Sequence, residues 1–276
     1  MLEENTSLTV HTVQGVPPRK DPDPAEVITT TSDTPLATFT VLTHPRKAFM
    51  GKTISGDPNV KPKQPPLSKH WAYDSVKISV GDSEKLTEHL RSLAENGHSI
   101  IVRGEAKDTN SRVRLRPRNS DQFTYSLPWL ALDFDDIEYH DKFDDVLAIR
   151  RCIGDILHGL GSCCGVLQFS SQAGIKGGLL RIRLWVWLSR PINDFEAKAL
   201  ARLAQSDVNQ LSRSQPIYIS TPKFIDGAED PFSCSSRFIP LDGHLLDVDN
   251  YNLSIPASAH TEGMTSRMTR KQNDTL

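Results

Sequence analysis

The sequence of 276 residues predicts an α+β fold. Segments with the apolar periodicity of helices are interleaved with short β-prone runs, and some predicted strands follow one another without a helix between them. That order favours a mixed or antiparallel sheet with helices packed against it. The sequence contains no G-x-x-x-x-G-K-[ST] loop and no G-x-G-x-x-G motif after a strand. We therefore exclude the nucleotide sites of doubly wound folds.

The predicted core lies between two tails. Residues 1–35 are rich in Thr, Pro, Asp and Glu with little periodicity, and residues 252–276 are polar with few large apolar side chains. Both compositions predict flexible segments, which leaves one domain over residues 36–251. The net charge of −2 creates no overall attraction to nucleic acid, so a local basic patch would have to provide it.

Hydropathy and cysteine usage predict a cytoplasmic chain. No apolar run approaches the length of a membrane span, and the first residues, MLEENTSLTV, lack a secretory apolar region. The chain contains no C-x-x-C pair, which argues against a zinc knuckle. We expect the four cysteines to be reduced, small apolar residues: Cys152, Cys163, Cys164 and Cys234.

The first half of the core is predicted to contain two strands, a loop, a helix and a third strand. The helix is the clearest of these, because Asp82 or Ser83 can cap its start and Gly97 can end it. The strands lie at 37–43, 71–80 and 99–103, the Lys- and Pro-rich loop at 44–69, and the helix at 83–96.

A polar segment over residues 107–120 carries arginines at every second position, namely Arg112, Arg114, Arg116 and Arg118. In an extended conformation these side chains would share one face. Such a face would hold nucleic acid phosphates without reading their sequence. A solvated loop is the equal alternative.

Residues 129–136, WLALDFDD, run from a buried strand straight into acids. Asp133 and Asp135 are two residues apart, so on a strand their side chains point to the same face. Like charges held that close repel unless a cation lies between them. The cation that suits oxygen ligands is Mg²⁺ or Mn²⁺. The alternative is a strand end with solvated acids.

The second half of the core is predicted to contain two helices and four strands. Asn193 and Glu196 form a plausible capping box at the start of the second helix. Pro191 is expected to lie just beyond the strand at 179–188, which precedes this helix. The helices lie at 142–159 and from 193 to about 206, and the strands at 164–170, 179–188, near 216–220 and near 236–241.

A phosphate-binding pattern follows the acidic strand. Ser170 and Ser171 end a predicted strand, and the glycine-containing loop 171–178 would let backbone N–H groups approach a phosphate. Lys176 offers a mobile charge within that loop. Arg181 and Arg183 share one face of an otherwise apolar strand, so an anion should meet them. That anion is either the acidic pair or a triphosphate. The alternative for the loop is an ordinary hairpin turn.

Taken in order, these motifs resemble the primase-polymerase domain of the archaeo-eukaryotic primase superfamily, and more narrowly its phage and plasmid members. The resemblance covers roughly residues 37–245. It rests on Asp133-x-Asp135, the Ser170-Ser171 loop, the strand LRIRLWVWLSRPI, and Asp207 followed by Gln215-Pro-Ile-Tyr218.

The resemblance implies a two-layer core of RRM-like type, with a mixed or antiparallel sheet and flanking helices. Asp133, Asp135 and Asp207 would be the catalytic acids and the ligands of Mg²⁺ or Mn²⁺. Asp242 is a rival for the third position. Arg183 stands where the family has a histidine. The nucleotide would be bound by Ser170, Ser171, Lys176, Arg181 and Arg183.

The activity implied is that of a DNA primase or polymerase, a nucleotidyltransferase that makes or extends primers on single-stranded DNA by two-metal chemistry. Arg112, Arg114, Arg116 and Tyr218 would contact the DNA. Expected partners are the template, nucleoside triphosphates (deoxy or ribo) and a separately encoded helicase, with no membrane. Two alternatives stay open: a metal-dependent nuclease, and a degenerate primase-like module that binds single-stranded DNA during replication.

Overall fold

The computed structural model describes residues 34–57, 59–65, 71–107, 123–124, 126–139, 145–175, 179–232 and 235–254. Their helices and antiparallel sheets confirm the predicted α+β class. Almost all of both predicted tails lies outside the described residues, so the predicted domain boundaries stay predictions. Among the helices that are described, none is long and apolar enough to cross a membrane.

In chain order the strands and α-helices of the described residues are β1 (Leu36–Thr43), β2 (Thr53–Ser55), β3 (Ala72–Ser79), α1 (Ser83–Asn96), β4 (Ser99–Val102), β5 (Glu105–Ala106), β6 (Phe123–Thr124), β7 (Leu127–Glu138), α2 (Val146–Ile156), β8 (Gly165–Phe169), β9 (Leu179–Ile192), α3 (Asp194–Leu203), β10 (Ile217–Tyr218), β11 (Lys223–Ile225) and β12 (Phe238–Leu241).

Two four-stranded antiparallel sheets dominate the fold. The first has the order β10-β4-β1-β3 and the second the order β12-β8-β9-β7. The strands and helices of the second sheet follow the chain order β7-α2-β8-β9-α3-β12, a β-α-β-β-α-β set of elements in which β10 and β11 intervene before β12. Its β7 and β8 flank β9, and β12 completes it beside β8.

Both faces of the second sheet are buried. On one face, Leu132, Ile182 and Leu184 pack with Ile149 of α2 and Leu200 of α3. The other face packs against the first sheet and α1. Burial on both faces explains why β7 and β9 are nearly continuous apolar runs.

Aromatic rings fill the space between the two sheets. Phe39 of the first sheet stacks on Trp129 of the second with 4.6 Å between ring centroids, and its ring meets Trp187 edge-on. The Trp129 indole N–H also donates to the Thr38 carbonyl at 3.0 Å. Trp185 lies in the same cluster, so its ring is part of the core between the sheets.

The three predicted helices are confirmed as α1, α2 and α3, with differences at their ends. The helix predicted at 142–159 is α2, which Asp145 caps and which ends at Ile156, and residues 142–144 lie outside the described residues. Asp82 caps α1 by accepting from the backbone N–H of Lys85, and Gly97 ends it in the left-handed conformation. Asn193 and Glu196 form the expected capping box of α3. That helix ends at Leu203, slightly before the predicted 206.

Strand β9 runs to Ile192, beyond the predicted end at residue 188, so Pro191 lies inside the strand rather than after it. The ladder between β7 and β9 shifts register between Leu127 and Trp129, near the level of Pro191. An irregular stretch of ladder tolerates the N–H that proline lacks. The sequence also missed β2, β5, β6 and β11, strands of only two or three residues.

A substitution at Gly165 can test the packing at the start of β8. Its φ is +153°, and a Cβ built there would lie 1.9 Å from the Trp185 carbonyl oxygen. We expect Gly165→Ala to lower the free energy of unfolding by about 3 kcal/mol or more, because backbone must move. Gly227→Ala is the matched control: φ is +78° there but nothing lies within 4 Å, so about 1–2 kcal/mol is expected. Equal losses in urea titrations of the two variants would contradict this packing.

Candidate functional site

A polar cleft lies where the interior between the two sheets reaches solvent. It encloses about 900 Å³, counting the solvent at its mouth. The ends of β7, β8 and β9 form one side, and the segments 51–52 and 218–222 form another. Its described lining carries four cationic and two anionic side chains: Lys52, Arg181, Arg183, Arg237, Asp133 and Asp135.

The centre of the cleft is an ion pair between neighbouring strands. Asp133 of β7 and Arg183 of β9 are direct cross-strand partners. The Arg183 guanidinium donates through Nε to Asp133 Oδ1 at 2.5 Å and through Nη2 to Oδ2 at 2.8 Å. Both side chains are about nine-tenths buried, with 10% and 12% of their surface exposed. The pair therefore engages both carboxylate oxygens in a shielded environment.

Arg183 also holds a third segment of chain. Its Nη1 donates to the Tyr218 carbonyl at 2.8 Å, and its Nη2 donates to Gln210 Oε1 at 3.1 Å. The side chain thus connects β9 to β7 and to both ends of the segment 210–218. A buried guanidinium needs this set of acceptors, because its desolvation is costly.

The second acid is arranged differently. Asp135 Oδ1 lies 3.7 Å from Arg181 Nη1, and the Asp135 side chain is 57% exposed. Arg181 also donates to Gln172 Oε1 at 3.3 Å. Asp133 is therefore locked by its counterion, whereas Asp135 faces solvent.

These contacts show which anions lie beside Arg181 and Arg183 in this structure. The two acids are the counterions of Arg181 and Arg183. The repulsion between neighbouring carboxylates, from which a divalent cation was inferred, is relieved here by guanidinium groups. A metal in this cleft would have to share Asp133 with Arg183.

The predicted serines lie where β8 ends at the cleft. The Ser170 backbone N–H donates to the Arg181 carbonyl at 2.9 Å, which anchors the turn to β9. Ser171 and Gln172 follow it along the cleft wall. Lys176 lies outside the described residues, so its predicted role is untested.

Arg237 was missed by the sequence reading. It is 2% exposed, donates to the Ser170 carbonyl at 2.8 Å and pairs with Asp230. Its guanidinium also lies 5.2 Å from the centre of the Phe232 ring. A single arginine before the short apolar run FIPL carries no periodic signal, and only the fold brings it to the cleft.

Gln168 and Lys52 also line the cleft without having been assigned to the site. Gln168 pairs with Arg183 across the sheet, and its amide oxygen accepts from the Trp185 indole at 2.9 Å. Lys52 precedes β2, in the segment 44–69 that the sequence predicted to be a Lys- and Pro-rich loop. No sequence signal distinguished it from the other lysines of that loop.

The third predicted acid does not reach the lining of the cleft. Asp207 is exposed, and its Oδ1 accepts from the backbone and side-chain N–H groups of Asn209 at 2.9 Å each. Its backbone N–H does lie beside Asp133, donating to the carbonyl at 3.2 Å. The side chain would have to turn from Asn209 to join the acids of β7, and its metal role stays a prediction.

The rival third acid is farther away. Asp242 follows β12, whose Phe238 pairs with Gln168 beside the cleft and whose Leu241 pairs with Gly165 at the other end of β8. The length of that strand therefore separates Asp242 from Asp133. Within the part of the chain that the structure describes, no three His, Cys, Asp or Glu side chains form a metal-binding group.

Of the predicted DNA contacts, only Tyr218 can be placed. It lies on the cleft wall, and burial raises the pKa of its phenol above the ordinary value. The phenol is therefore neutral at physiological pH and can stack on a base or donate a hydrogen bond. Arg112, Arg114 and Arg116 lie outside the described residues.

The donors available to a divalent metal in the cleft are two carboxylates. Asp133 and Asp135 are hard oxygen donors that line the same cleft. Mg²⁺ is commonly held by one or two carboxylates while substrate phosphates and waters complete its shell. Two carboxylates therefore fit a metal that arrives with phosphates better than one enclosed by protein alone.

Comparisons with known proteins give little beyond this geometry. No protein family model and no curated protein matches the chain. Among solved structures, the chain is similar to the AEP domain (PP-N190) of the cyanophage S-2L primase-polymerase, with 14% sequence identity and a TM-score of 0.34. That similarity covers 78% of this chain and 86% of the other. At this level, function has to be inferred from the residues of the cleft.

A double-mutant cycle tests the central pair. Arg183→Met should lower the free energy of unfolding by about 3–5 kcal/mol, because it leaves a buried carboxylate without its counterion. Adding Asp133→Leu should recover more than about 1 kcal/mol of that loss. The control is Arg190→Met, which removes an arginine from an exposed pair with Asp249 and should cost at most about 1 kcal/mol. Additive effects of the first two changes in urea unfolding would contradict the pairing.

Proposed function

We propose that this chain is a nucleotidyltransferase of the primase-polymerase type, which binds a nucleoside triphosphate in the cleft and works on single-stranded DNA. One observation carries the proposal. Asp133 and Asp135 of β7, a strand that continues past them to Glu138, line the same cleft as Arg181 and Arg183 of β9 and Ser170 and Ser171 after β8. Acids, phosphate-binding cations and hydroxyls thus share one site.

The cleft has the charge and the donor types that a polyphosphate requires. Arg181 and Arg183 offer planar guanidinium groups that match phosphate oxygens in pairs. Lys52 also lines the cleft and adds a point charge. The lining carries more cations than acids even though one of its cations, Arg237, is paired with Asp230, and this contrasts with the net charge of −2 of the whole chain. Triphosphate binding is therefore supported by the local field and by geometry.

Asp133 and Asp135 would hold the Mg²⁺ or Mn²⁺ that the reaction uses, with Asp207 as the proposed third ligand. When bound, such a metal stabilises the charge that develops on the transferred phosphoryl group. Arg181, Arg183 and Lys52 would orient the triphosphate chain. Tyr218 would contact the nucleic acid at the wall of the cleft, and Arg112, Arg114 and Arg116 would follow the template backbone.

A second candidate is a primase-like module that binds single-stranded DNA without catalysis. The observation that favours it is the bidentate Asp133–Arg183 pair, which occupies both oxygens of one acid. In such a module the arginines would bind phosphates, and the acids would serve only to hold the arginines in place. DNA binding would then depend on salt through the arginines and lysines.

A synthesis assay tests the proposed activity. Labelled deoxy- or ribonucleoside triphosphates, Mg²⁺ or Mn²⁺ and a single-stranded template should give extended products with the wild-type chain. The double variant Asp133→Ala with Asp135→Ala should lose that synthesis by at least about a hundredfold, since both proposed metal ligands are gone. Asp249→Ala is the control, because this acid pairs with Arg190 outside the cleft.

Two results would contradict the proposal. The first is unchanged synthesis by the double variant. The second is absence of synthesis by the wild type together with salt-dependent DNA binding that survives loss of both acids, the outcome expected for the binding module. Degradation of the template without added triphosphates would point to a nuclease.

A further inference from the structure

We propose that the cleft takes a divalent metal only as a metal–polyphosphate complex, because Arg183 occupies Asp133 until an anion draws the guanidinium away. This inference rests on the proposed function, and it names the form in which the substrate binds. It predicts strong positive coupling between two ligands of one site.

The first step is that most of the hydrogen-bond donors of Arg183 are already in use. Its guanidinium makes four hydrogen bonds with described residues: two to Asp133, one to the Tyr218 carbonyl and one to Gln210. A guanidinium has five N–H donors in all. Only one donor is left over, so Arg183 cannot hold a phosphate in its bidentate mode while keeping all four of these bonds, and it must release Asp133 if the Tyr218 and Gln210 bonds are kept.

The second step concerns a metal alone. A cation that approaches Asp133 meets a carboxylate whose two oxygens already accept from Arg183, and the guanidinium charge repels it at close range. Asp135 is exposed but lies 3.7 Å from Arg181. The charges of both acids are thus partly neutralised. An isolated Mg²⁺ or Mn²⁺ therefore gains little free energy when these carboxylates replace its water ligands.

The third step is exchange of partners. A triphosphate offers several anionic oxygens to Arg183, to Arg181 on the same face and to Lys52, which also lines the cleft. The Tyr218 carbonyl and Gln210 can keep the Arg183 side chain inside the cleft while it turns from carboxylate to phosphate. Asp133 is then left without its guanidinium counterion beside Asp135, and the metal on the phosphates supplies the cation that replaces it.

Equilibrium dialysis of the full chain measures the coupling. The probes are Mn²⁺ alone, inorganic tripolyphosphate alone, and both together, with bound metal determined by atomic absorption. We expect tripolyphosphate to raise the affinity for Mn²⁺ at least about tenfold, and Mn²⁺ to raise the affinity for tripolyphosphate by the same factor. Using the inorganic anion removes any contribution from a base or sugar.

Variants identify the residue responsible. Arg183→Met should bind Mn²⁺ without tripolyphosphate and reduce the coupling to less than about threefold. Arg183→Lys keeps a positive charge but cannot fork both oxygens. It should reduce the coupling in the same direction, and it serves if the methionine variant fails to fold. Arg190→Met removes a comparable carboxylate-bound arginine outside the cleft and should keep the wild-type coupling.

Three results would overturn the inference. They are equal Mn²⁺ binding by the wild type with and without tripolyphosphate, absence of Mn²⁺ binding in both conditions, and full coupling in both Arg183 variants. Failure of the proposed function gives a different result: coupling as expected, but no nucleotide incorporation on any template. In that case the site binds a metal–polyphosphate complex without polymerising nucleotides.

Discussion

The pairing of Asp133 with Arg183 is the contact on which the arrangement of the cleft depends. It joins neighbouring strands, and Arg183 extends the connection to the Tyr218 carbonyl and to Gln210 in the segment 210–218. The charges are shielded, so neither partner is stable without the other. The same pair fixes the position of one acid and limits its chemistry, because a metal would have to share with Arg183 a carboxylate whose two oxygens already accept hydrogen bonds.

A single alternation of side chains produces both the core and the site. Between Trp129 and Phe134 the ladder of β7 and β9 has no register shift. Odd-numbered positions therefore pass from Trp129, which packs between the sheets, to Asp133 in the cleft, while even-numbered positions pack against the helices. A slip of one residue would place the acid among the apolar side chains beneath α2 and α3. The hydrophobic core thus determines where the charges emerge.

Local signals in the sequence predicted much of this architecture. The caps of α1 and α3 and the shared faces of Asp133 with Asp135 and of Arg181 with Arg183 follow from short-range rules of backbone geometry. The register that pairs Asp133 with Arg183 does not, because it depends on contacts between distant segments. The same limit applies to Arg237, which only the path of β12 brings to the cleft, and to the parallel pairing of β2 with β11. Asp207 shows the converse: its position along the chain suggested a ligand, whereas its side chain caps a 3₁₀ turn at Val208–Leu211.

The most direct test of the account observes Arg183 itself. In ¹⁵N-resolved NMR spectra its Nε–H signal, assigned by its absence from Arg183→Lys, should be sharp and slow to exchange with solvent in the ligand-free chain, since that hydrogen bonds to a shielded carboxylate. Addition of tripolyphosphate and Mg²⁺ should shift this signal in proportion to binding, as the guanidinium moves from Asp133 to phosphate. A signal that stays unchanged while the ³¹P resonances report saturation of the cleft would contradict the exchange of partners on which the account rests.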